Sequence, residues 1–94
     1  MTQQYLAGEL SLLLGQLQAT TNDNTATTQV AQLRHRAETS PLTTLPVVAA
    51  QALDVADDMC WDSLSHADTT AFANQATASA DLWEFSVNAD LLDP

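Results

Sequence analysis

The sequence predicts an all-α fold, an antiparallel four-helix bundle in up-down-up-down order. Three observations predict it. Apolar residues recur at 3- and 4-residue spacing in successive blocks. Polar or proline-containing breaks with good capping residues separate the blocks. Nothing alternates with period two over a useful length, and no Asn-Gly hairpin turn occurs. Connections this short favour sequential antiparallel neighbours. The 94 residues form one domain, 1–94, with no repeat and no linker.

The first helix is expected from Thr2, as N-cap, to about Thr20. Leu6, Leu10, Leu13 and Leu17 define its inner stripe, with Leu14 at the edge. Gly8 and Gly15 share a face with Gln4 and Ser11, a side with little bulk that another helix can approach closely. Tyr5 and Leu12 lie on a third sector.

Thr21-Asn22-Asp23-Asn24 reads as a turn, with Asp23 or Asn24 capping the second helix. Ala26, Val30, Leu33 and Ala37 form its inner stripe. Arg34, His35 and Arg36 crowd the last turn, where positive charge suits the helix dipole. The helix should stop near Glu38 or Thr39.

Ser40-Pro41 signals a fresh start. Pro46 cannot continue a helix begun at Pro41, because it lacks an N–H and clashes with the Leu42 carbonyl. The chain is therefore read as one turn at 41–44, then a helix capped by Thr44 and running from Leu45 to about Ser65. Leu45, Val48, Ala49, Ala52, Leu53, Ala56, Met59, Cys60 and Leu64 make a broad stripe, so this third helix is expected to be the spine of the core. Asp68 caps the fourth helix, from Thr69 to about Leu91. Its stripe is Phe72, Ala76, Ala80, Trp83, Val87 and Leu91, and Asp93-Pro94 should fray.

Charge bounds the partners. The net charge is −10, with no lysine and with Arg34 and Arg36 as the only Lys/Arg cations. Nucleic acid and anionic membranes should repel such a chain, since both are bound through Lys and Arg. Cations and basic protein surfaces should attract it. The simplest role of the charge is to keep an apolar-rich chain in solution. Apolar runs such as Leu12-Leu13-Leu14 fall far below the ~18 residues of a membrane span. The N-terminal residues lack the positive region of a signal peptide, and the single Cys60 excludes an internal disulfide, so the cytoplasm is the expected compartment.

No phosphate loop, nucleophile elbow, zinc-ligand spacing or EF-hand pattern occurs, so neither an enzyme nor a cofactor is expected. The nearest approach to chemistry is Asp54, Asp58, Asp62 and His66, spaced every four residues along one helix with Asp57 beside them. Consecutive members are surface neighbours able to grip a divalent cation, although a solvated acidic face is the simpler reading. Cys60 lies on the inner stripe, where a thiol behaves as a small hydrophobe. Trp61 projects away from that stripe and either packs under a loop or lies exposed in a contact surface.

The surplus apolar sectors point to contact with another chain. Leu82 is read as a broadened core contact. Tyr5, Leu12, Trp61 and Phe85 are the candidate interface residues. Three functions follow. The first is an acidic interaction module that binds another protein or itself as a homodimer. The second is an acidic decoy, or antitoxin-like binder of a basic protein, with carboxylates recurring at about 6 Å along a helix, close to phosphate spacing. The third is a divalent-metal-binding helical protein.

The segments Tyr5-Leu6-Ala7-Gly8-Glu9-Leu10-Ser11-Leu12-Leu13-Leu14 and Cys60-Trp61-Asp62-Ser63-Leu64 resemble small all-helical hypothetical proteins of actinobacteria. The resemblance spans most of the chain. It implies a cytosolic bacterial protein and brings no activity or site residues with it.

Overall fold

The computed structural model describes residues 3–21 and 23–91. The expected Thr2 cap, the side chain of Gln4, Asn22 of the first turn and the Asp93-Pro94 end lie outside the described residues. The chain forms a four-helix bundle: α1 Gln3–Gln18, α2 Asn24–Thr39, a single 3-10 turn Leu42–Thr44, α3 Leu45–Ser65 and α4 Thr69–Asn88. Each helix packs on its sequence neighbours, and α4 returns to α1, closing the ring. Among the described residues there is no strand, and no helix is long and apolar enough to cross a membrane.

Local chemistry sets the boundaries. Asp23 caps α2, its carboxylate accepting from the Ala26 N–H at 2.9 Å. Pro46 sits in the first turn of α3, where its missing N–H costs nothing. Thr44 precedes α3 as expected, but its side chain makes no capping bond. α3 ends in a Schellman motif. Ala67 adopts φ 57°. The Asp68 N–H then reaches Ser63 O at 2.9 Å and the Ala67 N–H reaches Leu64 O at 3.1 Å. Asp68 immediately caps α4 by accepting from the Ala71 N–H at 3.1 Å. Asp90, at φ 58°, closes α4 in the same way, and Leu91 is buried one residue past that turn.

The core is made of Leu6, Leu10, Leu14 and Leu17 of α1, all four stripe residues of α2, and Leu45, Val48, Ala49, Ala52, Ala56 and Met59 of α3. The alanines of α3 let its neighbours approach closely, and α3 is the spine of this core. On α1 the buried face is centred one residue further round than the leucine count suggests. Leu14 is fully buried and Leu13 lies partly exposed against the core. Ser11 is buried as well, donating to Glu38 Oε1 at 2.8 Å.

The fourth helix departs from expectation. Its buried face is Gln75, Ala78, Leu82 and Ser86. Of the expected stripe, Trp83 and Val87 are exposed, Ala76 and Ala80 also, and Phe72 is half-buried; only Leu91 is covered. At 100° per residue the two faces are about 120° apart. Small side chains explain the choice: Ala78 and Ser86 allow a close approach that Trp83 would prevent, and Leu82 fills the space between them. The polar groups are satisfied. Ser63 Oγ donates to Gln75 Oε1 at 2.7 Å, and Ser86 Oγ donates to Leu82 O at 2.7 Å. The last turn of α3 follows suit, with Ser63 inside and Leu64 outside.

The glycine face of α1 is open at Gly8 and lies against Arg34 at Gly15. A side chain at Gly15 would meet the Arg34 guanidinium at 3.4 Å, while Gly8 faces open space.

Candidate docking groove on the α3–α4 face

The rotation of α4 leaves an apolar channel on the outside of the bundle. One wall is α3, where Leu53, Asp57, Cys60, Trp61 and Leu64 follow at i, i+4, i+7, i+8 and i+11. The other wall is α4, where Phe72, Ala76, Ala80 and Trp83 follow at i, i+4, i+8 and i+11. Both series keep one face of a helix toward the channel. The small Ala76 and Ala80 between Phe72 and Trp83 leave the concavity, whose volume is about 760 Å³. Both tryptophans of the chain stand in it, Trp61 64% exposed and Trp83 57% exposed.

Cys60 is half-buried in the α3 wall. Burial pushes its thiol pKa up, and the nearby Asp57 carboxylate adds to the shift, so the thiol stays largely protonated at neutral pH.

The charge is distributed unevenly. Residues 45–94 hold nine of the twelve carboxylates and neither arginine, hence nine of the ten net negative charges. Asp54 and Asp57 line the groove from α3. Glu84 is exposed on α4, about 40° around the helix from Ala80. The arginines are engaged elsewhere: Arg34 Nη1 donates to Gln18 Oε1 at 3.0 Å, and Arg36 Nη1 donates to Gln51 Oε1.

The acidic stripe does not stay together. Asp54 faces the groove, whereas Asp58, Asp62 and His66 border a cleft at the bundle end with Asp23 and Gln75. All four stripe residues are exposed. His66 Nδ1 lies 3.6 Å from Asp62 Oδ1 and 2.8 Å from the Asp62 carbonyl oxygen. Among the described residues no three His, Cys, Asp or Glu side chains come together as a group able to hold a metal ion.

Of the other expected interface residues, Trp61 lines the groove. Tyr5 and Leu12 are exposed on α1 and do not line it. Phe85 is half-buried and packs against the core. Leu53, Cys60, Leu64, Phe72, Ala76, Ala80 and Trp83 line the groove although sequence reasoning placed all seven on core stripes. The signal available was that α4 carries two apolar sectors and can bury only one.

The protein is thus a small helical bundle with an open, acid-rimmed apolar groove. It matches no family model, no curated protein and no solved structure.

Proposed function

We propose that the chain is a non-enzymatic, acidic protein–protein interaction module of the cytoplasm, and that it works through the α3–α4 groove. One observation carries this reading: α4 buries Gln75 and Ser86 while it turns Trp83, Val87 and Ala76 to solvent. Close packing settles which face of α4 is buried, and it leaves an exposed apolar stripe whose burial by a partner would be worth roughly 25 cal/mol per Å² of apolar surface. Large exposed apolar patches on small soluble domains mark contact sites, and tryptophan is the residue most favoured at their energetic centres.

The test is capture from the host's extract by the full chain and by a Trp61→Ser/Trp83→Ser variant, together with sedimentation of each alone. A discrete partner, or a second copy, held by the first and released by the second is the expected result. Identical recovery from both, with both chains monomeric, would remove the groove from the function.

A further inference from the structure

We infer that the occupant of the groove is a cationic amphipathic helix belonging to another protein. This rests on the reading of the groove as a docking surface and adds the partner's chemistry.

Shape argues for a helix. The α3 wall from Leu53 to Leu64 covers eleven residue steps, about 16 Å at 1.5 Å per residue. That is three turns of a partner helix, which presents apolar anchors at i, i+3, i+4 and i+7 to a channel of this kind. Trp61 and Trp83 offer broad apolar faces to such anchors, and Ala76 and Ala80 leave room for branched side chains between them.

Charge selects the partner. Lysines or arginines flanking the apolar stripe of a docked helix would meet Asp54 and Asp57 along the α3 wall. No lysine or arginine of this chain lies in residues 45–94 to compete for those carboxylates. A second copy is disfavoured by the same arithmetic. Groove-to-groove association would bring the Asp54 and Asp57 carboxylates of two copies to one seam, with no lysine or arginine in residues 45–94 of either copy to offset them. Cationic tryptophan contacts add to the attraction, because Lys and Arg are drawn to indole faces.

The experiment titrates the full chain with three 18-residue model peptides free of tryptophan. One is built of Leu and Lys with Leu at i, i+3, i+4 and i+7. The second has the same composition, scrambled so that no apolar stripe forms. The third replaces every Lys by Glu. Both tryptophans of the chain line the groove, so their emission reports its occupancy. The Leu/Lys helix is expected to bind one to one with a blue shift, on the order of tenfold or more tighter than its scrambled version. Added salt and the Asp54→Asn/Asp57→Asn variant should each weaken it several-fold.

Equal binding of the scrambled peptide overturns the inference, since charge alone then acts. Equal binding of the Leu/Glu helix overturns the cationic partner while leaving the groove as a docking surface. So does a dimer that dissociates on Trp61→Ser/Trp83→Ser. Silence of the emission toward all three peptides, from a monomeric chain, removes both the inference and the reading beneath it.

Discussion

Ser63 Oγ on α3 donates a 2.7 Å hydrogen bond to Gln75 Oε1 on α4, with both side chains buried. The pair fixes which face of α4 enters the core, and so places Trp83 outside. It is also exposed to loss in an asymmetric way. Removing Ser63 leaves the Gln75 Oε1 buried without its donor, although Gln75 Nε2 keeps its 3.5 Å bond to Thr20 O, whereas replacing both leaves apolar contact. Ser63→Ala alone should therefore cost about 1–3 kcal/mol, because the Gln75 carbonyl loses its donor. Ser63→Ala combined with Gln75→Leu should return stability to within about 1 kcal/mol of the parent. Urea unfolding of the three chains decides it; a double variant no better than the single one would mean the bond is not what orients α4.

Neighbouring residues on α4 should behave oppositely to their size. Leu82 is fully buried and Trp83 is 57% exposed. Leu82→Ala is expected to cost about 2–5 kcal/mol by opening a cavity. Trp83→Ala should cost under about 1 kcal/mol, as for most surface positions, while abolishing groove binding. Thermal unfolding of the two variants measures the contrast. A larger loss from Trp83→Ala would restore the aromatic stripe to the core and close the groove.

That contrast marks where sequence reading stops. The four helices, the Asp23 and Asp68 caps, the break before Leu45 and all four core residues of α2 were legible, because capping chemistry and a single apolar stripe leave one solution. α4 carries two stripes about 120° apart, and periodicity ranks them by hydrophobicity alone. Packing ranks them by fit. Ala78 and Ser86 admit close neighbours, and Gln75 is tolerated inside because Ser63, on a different helix, satisfies it. That pairing is twelve residues apart in sequence and carries no local signal. Trp61 stood out as a candidate contact residue from its angular position alone, and Trp83 did not, although both line one groove.

The α3–α4 connection holds a removable strain. Ala67 adopts φ 57°, a left-handed conformation that costs an L-residue roughly 1–2 kcal/mol and glycine almost nothing. The bonds from the Ala67 N–H to the Leu64 carbonyl and from the Asp68 N–H to the Ser63 carbonyl need that conformation. Ala67→Gly should stabilise the protein by about 0.5–1 kcal/mol, after the glycine's larger entropy in the unfolded chain is offset. For a domain of this size that is a rise of a few °C in Tm, about 4–8 °C per kcal/mol. Ala67→Val should lower it, since a branched side chain suits the left-handed region worst. Calorimetry of the three chains tests the order Gly, Ala, Val, and any other order would place the turn's strain elsewhere.

The thiol of Cys60 provides a reporter inside the groove. Burial first, and the Asp57 carboxylate second, raise its pKa above the ordinary value. Only the thiolate alkylates, so at pH 7.5 iodoacetamide should modify the folded chain more slowly than the urea-unfolded chain, with the gap narrowing as pH rises. Asp57→Asn should speed the folded reaction modestly, since it removes the smaller cause. The sign for stability is fixed by the same shift. The folded state holds the proton more tightly, so this contribution is complete below the unfolded thiol's pKa and is lost as pH rises through the folded value. Stability should therefore be flat with respect to this group at neutral pH and should decline in the alkaline range, a decline that Cys60→Ala reduces. The Leu/Lys helix, once seated against Trp61, covers the α3 wall and should slow alkylation further. Protection of Cys60 that follows the blue shift of the tryptophans, peptide concentration for peptide concentration, would locate the bound helix in the groove; alkylation indifferent to a saturating peptide would place it elsewhere on the acidic surface.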